Sequence, residues 1–334
     1  MITKSAEAQG RLSWFVAALG LFPGLLLAPA VRAEDVRQQE RVSFYFAAHE
    51  DDWQLFMKPS AFMDVSDPKT KTVFIHVTAG DAGVGMGTGG RKHPYYLARE
   101  NGAEVAIRFM ADAGERPATK VVSSPSLNGH QIHRVSYRNA QIYFLRLPDG
   151  HPHGIGFPET GYQSLERLAK GEIGVLSAID RSTAYRGWSD LVSTVRAIVD
   201  HERGQAKAVQ LNVTESNARF NVADHSDHTM TTKLALEAAK DLPCARRVHY
   251  VDYASSRLPE NVVGEQRDME SSVLAVTGAG ILALDHANVW HPYHRSYLGR
   301  NYFRIEEGTG PCSGPGSNAL HAVSALPIKP SAKR

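Results

Sequence analysis

The chain has 334 residues, of which 43% are hydrophobic and 22% are charged, an ordinary balance for a globular protein. Lys and Arg number 37 against 35 Asp and Glu, so the formal net charge is +2 and there is no electrostatic footprint for nucleic acid. This composition excludes a disordered chain and a coiled coil, and the length allows one large domain or two small ones.

The first 33 residues have the pattern of a secretory signal peptide. Two positive charges, Lys4 and Arg11, precede an uncharged run over residues 12–31, and small side chains stand where they are expected before a cut after Ala33. The alternative is a retained membrane anchor, because an uncharged run of 20 residues could span a bilayer, although its prolines and glycines weaken such a helix. We therefore expect a secreted or periplasmic mature protein with no stable membrane span.

Short apolar runs alternate with helical stretches along the rest of the chain. Strands are predicted over residues 42–48, 72–78, 131–137, 141–145, 208–213 and 248–251. Helices are predicted over residues 94–113, 188–201 and 229–240, with Ser189 as the N-cap of the second. This alternation indicates an α/β fold with an open, Rossmann-like, mostly parallel sheet flanked by helices.

Residues 34–306 contain no stretch with the composition of an interdomain linker, so they are predicted to form a single domain. Residues 307–334 are rich in Gly, Pro and Ser and are predicted to form a flexible tail. The cysteines, Cys244 and Cys312, leave two possibilities open in an exported protein: a disulfide that ties the tail to the body, or two unpaired thiols. Two cysteines cannot form a sulfur-rich zinc site, so any metal must be bound by His and carboxylates.

Two polar clusters stand where the chemistry is expected. His49-Glu50-Asp51-Asp52 follows the first strand, and His225-Ser226-Asp227-His228 follows the strand over 208–213 and a loop. Ligands of open α/β sheets bind outside the carboxyl ends of the strands. His49 and Asp52 can face one metal and leave Asp51 free beside it. Two histidines and one carboxylate leave an open position on zinc, which is the pattern of a catalytic site.

Each cluster taken alone could equally be a solvated loop, because the chain has 15 histidines and short His pairs arise easily. The competing pairs are His130/His133, His151/His153 and His291/His294. We expect the first pair at the surface, and we consider the last pair the strongest rival for a metal.

A glycine-rich run, Gly85–Gly90, satisfies the G-x-G-x-x-G pattern between a strand and a helix. It begins seven residues beyond Thr78, too far for the tight first turn of a dinucleotide site. Export also argues against a soluble nicotinamide cofactor. We therefore expect a flexible loop over the substrate pocket rather than a dehydrogenase.

The two clusters resemble the sequence motifs of the PIG-L/LmbE-type zinc deacetylases. Residues 48–52 resemble the family's Ala-His-Pro-Asp-Asp motif, and residues 225–228 resemble its His-Pro-Asp-His motif, in the same order and with a gap of about 175 residues. Three weaker matches agree: the Gly/Asp loop at 78–83, the pair Arg99-Glu100, and the turn at 147–150. The resemblance covers residues 40 to 255.

Three positions depart from the family pattern. Glu50 and Ser226 replace the two motif prolines, and Trp53 stands where the first motif commonly continues with Glu. Because the prolines stiffen turns and do not bind metal, the first two changes leave the ligand set intact. The change at Trp53 puts the substrate in doubt more than the catalysis.

The resemblance implies an LmbE-like fold, one zinc ion per chain held by His49, Asp52 and His228, and Asp51 as the general base. Zinc acidifies water and polarises an amide carbonyl, and a neighbouring carboxylate can take the proton during attack.

Four further roles follow from the same resemblance. His225 would stabilise the oxyanion or protonate the leaving amine, with Asp227 orienting it. Arg99 and Asp149 would hold sugar hydroxyls. The alternatives are a solvated helix charge for Arg99 and a turn-forming Asp before Gly for Asp149.

The resulting hypothesis is an exported zinc-dependent amide hydrolase with residues 34–306 as its catalytic domain. It would remove an acyl group, acetyl first of all, from an amino sugar of a glycan, glycolipid or glycosylated metabolite. The alternative is a catalytically silent sugar-binding protein on the same fold. The presence of Asp51 together with all three ligands argues against the silent protein, which would need no base.

Overall fold

The computed structural model describes residues 40–287 and 290–312. The predicted signal peptide and residues 313–334 of the predicted tail lie outside the described residues. Within the described part of the chain, no helix is long and apolar enough to cross a membrane.

The centre of the fold is an eight-stranded sheet with the order β12-β11-β10-β1-β2-β7-β6-β3. The strands along the chain are β1 Arg41–Ala47, β2 Thr70–Thr78, β3 Val121–Ser123, β4 Ser126–Leu127, β5 His130–Gln131, β6 His133–Tyr137, β7 Ala140–Leu147, β8 Val175–Ser177, β9 Ala184–Arg186, β10 Ala208–Thr214, β11 Arg246–Tyr250 and β12 Phe303–Glu306. The five central strands, from β11 to β7, run parallel, and the pairs β11–β12, β7–β6 and β6–β3 are antiparallel. The β1 strand is buried on both faces, as its continuous apolar run predicts.

Helices cover both faces of the sheet, and a hydrophobic core cluster lies on each face between the sheet and its helices. They are α1 Asp52–Phe56, α2 Ser60–Ser66, α3 Tyr95–Ala111, α4 Leu165–Ala169, α5 Gly187–Arg203, α6 Ser226–Ala238, α7 Glu265–Ala283 and α8 Pro292–Arg295, with two 3₁₀ turns at Pro158–Thr160 and Tyr253–Arg257. The predicted fold class, a mostly parallel open sheet flanked by helices, is therefore confirmed.

The predicted N-cap of α5 and the predicted start of α6 are wrong. Ser189 is not an N-cap: α5 begins two residues earlier, and the Asp190 carboxylate accepts the N–H of Arg186 at 2.8 Å. The helix predicted from residue 229 begins at Ser226, because the Nδ1 atom of His225 caps it by accepting the N–H of Asp227. The second motif therefore forms the first turn of α6 and does not lie in a loop.

The polar strand predicted over 131–137 is divided between β5 and β6. The break is at Ile132, whose N–H donates to the carbonyl of Pro125 and not to a neighbouring strand of the sheet. The expectation that His130 and His133 lie at the surface is wrong. Both are half-buried: His130 is 2.7 Å from Thr183 Oγ1, and the His133 ring packs on an aromatic ring of β7.

Helix α7 has no counterpart in the sequence prediction, because two glycines and two serines weaken its helical pattern. It packs against α3 at a close backbone approach between Gly102 and Gly280, where a Cβ on Gly280 would lie 2.9 Å from the Cα of Gly102. The hydroxyl of Thr277 on α7 is 2.6 Å from the amide oxygen of Gln54 on α1. Helix α7 thus supports both α1, which follows the first motif, and α3, which carries Arg99.

Replacing Gly280 by Ala is expected to lower the free energy of unfolding by about 1–3 kcal/mol, because the new methyl group would overpack a contact with backbone. Denaturant unfolding of the variant and the parent measures this difference. Gly174→Ala is the matched control, since nothing lies within 4 Å of its Cβ position and its φ is not positive. Equal losses in the two variants would contradict the close-approach explanation.

The question left open for the cysteines has an answer in the structure. Cys244 and Cys312 form a disulfide with their Cα atoms 5.1 Å apart, and the N–H of Thr309 donates to the carbonyl of Pro243 at 2.7 Å. Residues 307–312, which belong to the predicted flexible tail, are therefore tied to the body, contrary to the prediction for that part of it.

Candidate metal centre

The order of the strands brings the two polar motifs together. Strands β1 and β10 are parallel neighbours, so their carboxyl ends lie side by side. From this pair the chain continues to β2 on one side and to β11 on the other. Such a divergence opens the crevice in which open α/β sheets bind ligands. The first motif follows β1 and the second follows β10, so both enter the same crevice despite the long gap in sequence.

Three predicted ligand atoms form a nearly equilateral triangle in this crevice. His49 Nδ1 lies 3.5 Å from Asp52 Oδ1, and His228 Nε2 lies 3.3 Å from each of these atoms. Tetrahedral zinc with bonds of about 2.0–2.1 Å has neighbouring ligand atoms about 3.3–3.4 Å apart. All three side chains are buried. The group therefore fits one tetrahedral metal ion with a fourth position left open.

The electrostatics of the triangle agree with that fit. Burial opposes the ionisation of Asp52, but the neighbouring His228 and His49 outweigh it and hold the pKa of this carboxyl well below its usual value. Burial alone would lower the pKa of both histidines, yet their acidic neighbours raise it well above the usual value. The centre thus favours positive charge, whether carried by protons or by a metal ion.

A set of carboxylates orients the two histidine ligands from behind. His228 Nδ1 is 2.7 Å from Asp224 Oδ1 and 3.0 Å from Asp252 Oδ2, which leaves Nε2 free for a metal. Neither residue was expected from the sequence. Asp224 directly precedes the second motif, and Asp252 comes two residues after the end of β11, so the rule of strand carboxyl ends could have found it.

The carboxylate of Asp227 lies behind His49. Its Oδ2 atom is 3.5 Å from His49 Nε2 and accepts the N–H of Gly150 at 2.8 Å. The same atom is 3.8 Å from His225 Nδ1, and the family resemblance implies that Asp227 orients His225. The shorter distance places Asp227 as the partner of the predicted ligand His49.

Asp227→Asn is expected to weaken zinc binding about 10–100-fold, because carboxylates that hold metal-binding histidines have effects of that size. Titration against a chromophoric chelator measures the affinity. Asp241→Asn, which removes an exposed carboxylate paired with Arg196, should leave it unchanged. A variant with full zinc affinity and a lower kcat would instead show that Asp227 acts on His225.

The backbone fixes the hydrogen-bonding state of His225. Its Nδ1 atom accepts the N–H of Asp227 at 3.1 Å, so the proton of the neutral ring stands on Nε2, 3.8 Å from Asp149 Oδ1. Burial, together with the cationic neighbours His49 and His228, lowers the pKa of His225 to about 2. His225 is therefore a neutral donor whose N–H faces the crevice.

Asp149 also lies inside the crevice. Its Oδ2 atom is 3.8 Å from His49 Nε2, and its backbone N–H donates to the carboxylate of Asp81 at 2.9 Å. The carboxylate of Asp149 thus borders the metal centre itself, close enough to contact a group bound there.

Arg99 is held by the protein rather than by solvent. One Nη atom donates to Asp51 Oδ1 and the other to the carbonyl of Gly80 at 2.8 Å, while Nε is 3.1 Å from Glu50 Oε2. Its side chain is 11% exposed. Arg99 therefore orients Asp51 and leaves the second carboxylate oxygen of that residue toward the crevice.

The residues that replace the motif prolines make contacts that proline could not. Ser226 donates its N–H to the carbonyl of Pro152 at 3.0 Å and its hydroxyl to Glu166 at 2.5 Å. Glu50 is buried beside Arg99, and burial raises the pKa of this carboxyl to about 8. Both substitutions link the motifs to neighbouring elements.

A group of aromatic side chains, the aromatic rim, borders the centre. It consists of Tyr253, His291, Tyr293 and His294. The Tyr253 ring lies 5.1 Å from the His228 ring and 6.2 Å from the Tyr293 ring, and Tyr293 is 49% exposed. His294 Nε2 is 3.8 Å from the second carboxylate oxygen of Asp51. The rim thus extends from the buried centre to the surface.

None of the competing histidine pairs belongs to a group of three ligands among the residues that the structure describes. His291/His294, the strongest rival, is part of the aromatic rim and does not form a second metal site there. The glycine-rich run ends at Gly90, and α3 begins five residues later. The loop therefore does not lead directly into a helix N-terminus that could bind a phosphate.

The fold and site define an α/β protein with a buried two-histidine, one-carboxylate group at the carboxyl ends of its strands. No protein-family model matches the sequence, and no curated protein matches it. Among solved structures it is similar to GalB, the 4-carboxy-2-hydroxymuconate hydratase of Pseudomonas putida KT2440, at 12% identity and a TM-score of 0.38, over 77% of this chain and 82% of that chain. It is also similar to a deacetylase of teicoplanin biosynthesis, solved with teicoplanin, at 16% identity and a TM-score of 0.40, over 73% and 89%. Because similarity of this extent does not decide an activity, the function is argued from the site.

Proposed function

We propose that this chain is an exported zinc-dependent N-deacetylase of the PIG-L/LmbE type, acting on an acylated amino sugar of a glycan, glycolipid or glycosylated metabolite. The observation that carries the proposal is the triangle of His49, Asp52 and His228, with edges of 3.3–3.5 Å and a carboxylate, Asp51, beside it that the triangle does not use. A metal centre with an adjacent free base is the arrangement that amide hydrolysis needs.

Zinc bound by the triangle would supply a Lewis acid that polarises the amide carbonyl and acidifies water. Asp51, oriented by Arg99 through one oxygen, would accept a proton from the attacking water with the other. His225 would donate a hydrogen bond from Nε2 to the developing oxyanion, and Asp51 would pass the proton that it accepted to the leaving nitrogen. Water adds to the carbonyl carbon, the C–N bond breaks, and the amine leaves with the proton, so the products are a carboxylate and a free amine.

The aromatic rim supports a ring-shaped substrate. Tyr293 offers a partly exposed, flat apolar face beside the centre, and such a face can pack against the apolar side of a sugar ring. Asp149 would accept a hydrogen bond from a hydroxyl of the same sugar. The rim would thus bind the sugar while its acylamino group reaches the buried metal.

The direct test is release of amine from a panel of N-acetylated amino sugars and glycans by the zinc-loaded mature protein. Amine release should require zinc, stop with a chelator and return when zinc is added. Asp51→Asn protein is the control for contaminating activity. Glycan binding without release of amine by any member of the panel would favour the silent sugar-binding protein.

Export has its own test. The full chain, expressed in a host with a secretory pathway, should yield a mature protein whose N-terminal sequence begins at Glu34, because the pattern before Ala33 predicts cleavage there. An intact N-terminus in the membrane fraction would favour the retained anchor.

A further inference from the structure

A cavity of about 340 Å³ lies between α2 and the sheet. Arg41 and Arg246, the first residues of β1 and β11, line its charged end, and α2 contributes Met63. The metal centre follows the last residues of β1 and β10, so the charged end of the cavity is separated from it by the length of the strands. The volume is within the range of small-molecule sites in proteins.

The polarity of the cavity changes along the strand direction. Arg246, Val248 and Tyr250 are alternate residues of β11 and face the same side of the sheet. The register pairs Val248 with Ile305 and Tyr250 with Phe303 on the neighbouring strand. The wall therefore runs from a guanidinium group to apolar side chains over four residues, or about 13 Å.

The charged end carries an excess of positive charge. Among the lining residues the cations are Arg41, Lys69 and Arg246, and the acids are Asp64 and Asp67. Asp64 pairs with Arg41 through one Nη atom, and the Nε atom of Arg41 is buried without a hydrogen-bond partner in the described structure. An anion entering here would meet a guanidinium donor that the protein has not satisfied.

Arg246 is the less satisfied of the two arginines. Its side chain is 9% exposed, and its buried Nε atom makes no hydrogen bond to any described residue. This Nε atom forms an ion pair at 3.3 Å with the carboxylate of Glu307, which is 70% exposed and therefore a weak partner. A buried guanidinium nitrogen without a hydrogen bond is costly, and a carboxylate ligand can bind a guanidinium group bidentately.

We propose that this cavity binds a small amphiphilic monoanion of the medium-chain carboxylate class. The carboxylate pairs with Arg41 and Arg246 at the strand starts, and the aliphatic chain packs along Val248, Ile305 and Phe303 beneath α2. This site is independent of the proposed hydrolase activity, because none of its lining residues belongs to the candidate metal centre.

The experiment is a calorimetric titration and a thermal-shift measurement of the purified mature protein with octanoate. Octanoate should raise the melting temperature, because a ligand of the native state stabilises it. Octanol has the same apolar chain without the charge, and inorganic phosphate has charge without the chain. Both should bind at least tenfold more weakly than octanoate. If phosphate binds as well as octanoate, the proposal of an amphiphilic ligand is wrong and the cavity is a simple anion site.

Arg246→Met should weaken octanoate binding at least tenfold, since it removes the charge and keeps an apolar side chain of similar length. Lys69→Gln, an exposed change that should not disturb folding, should weaken it severalfold through the loss of charge at the same end. Arg196→Met, which removes a cation remote from the cavity, is the matched control. Unchanged octanoate binding in both test variants, or no binding by the parent protein, would overturn the proposal.

Discussion

Asp51→Asn is expected to lower kcat by about 10²–10⁴-fold while the protein keeps its zinc, because Asn preserves the shape of the side chain but cannot accept a proton. The structure separates Asp51 from the ligand triangle: one oxygen is held by Arg99, and the other faces the crevice 3.8 Å from His294. Steady-state kinetics and metal analysis on the same preparation measure the two quantities.

Asp241→Asn is the matched control, since it makes the same chemical change at an exposed carboxylate and should keep full turnover and full zinc. Loss of zinc in Asp51→Asn would show that Asp51 is a ligand. Turnover close to that of the parent would place the base elsewhere and would remove the central residue of the proposed mechanism.

His228→Ala is expected to reduce the zinc content from about one ion per chain to near zero. The imidazole supplies one corner of the triangle, and it also separates Asp52, Asp224 and Asp252, which would face one another without it. Removing the positive partner of buried carboxylates typically costs about 3–5 kcal/mol of stability. Elemental analysis of gel-filtered protein gives the zinc content, and circular dichroism shows whether the variant is folded.

His49→Ala and Asp52→Ala should also lose most of the metal, and the comparison with the aromatic rim tests the position of the site. His291→Ala and His294→Ala remove the histidines of the rival pair and should keep the zinc. Retention of zinc by all three triangle variants, with loss in the rim variants, would move the metal to the other side of the crevice.

His49 and Asp52 directly follow the end of a predicted strand, so the strand assignment and the rule that ligands bind at carboxyl ends are enough to single them out. His228 lies 15 residues beyond the strand over 208–213, and the set of three ligands was implied by the resemblance to the two family motifs. The roles of Arg99 and Asp227 were not accessible in this way. Each depends on which of two nearby partners a side chain reaches, at separations of a few tenths of an ångström, and that is set by packing.

Helix α7 and the aromatic rim were missed for a different reason. The pattern of α7 is weak because Gly280 is selected for close approach to Gly102 rather than for helix propensity. The rim combines residues of a 3₁₀ turn and of a short helix that are far apart in sequence, so no local sequence pattern predicts it. The histidines of 291–294 were candidate metal ligands, yet His294 lies beside Asp51 and outside the ligand triangle.

The neighbouring arrangement of β1 and β10 has a consequence for the order of events as the protein matures. Since His49 and His228 are far apart in the chain, no fragment that ends before β10 contains all three ligands, and a metal can bind only after the two strands have paired. An ion held there would stabilise the finished sheet by about 2.7 kcal/mol at a free concentration 100 times its Kd. The metal content of a preparation would then measure the fraction of molecules in which β1 and β10 have paired.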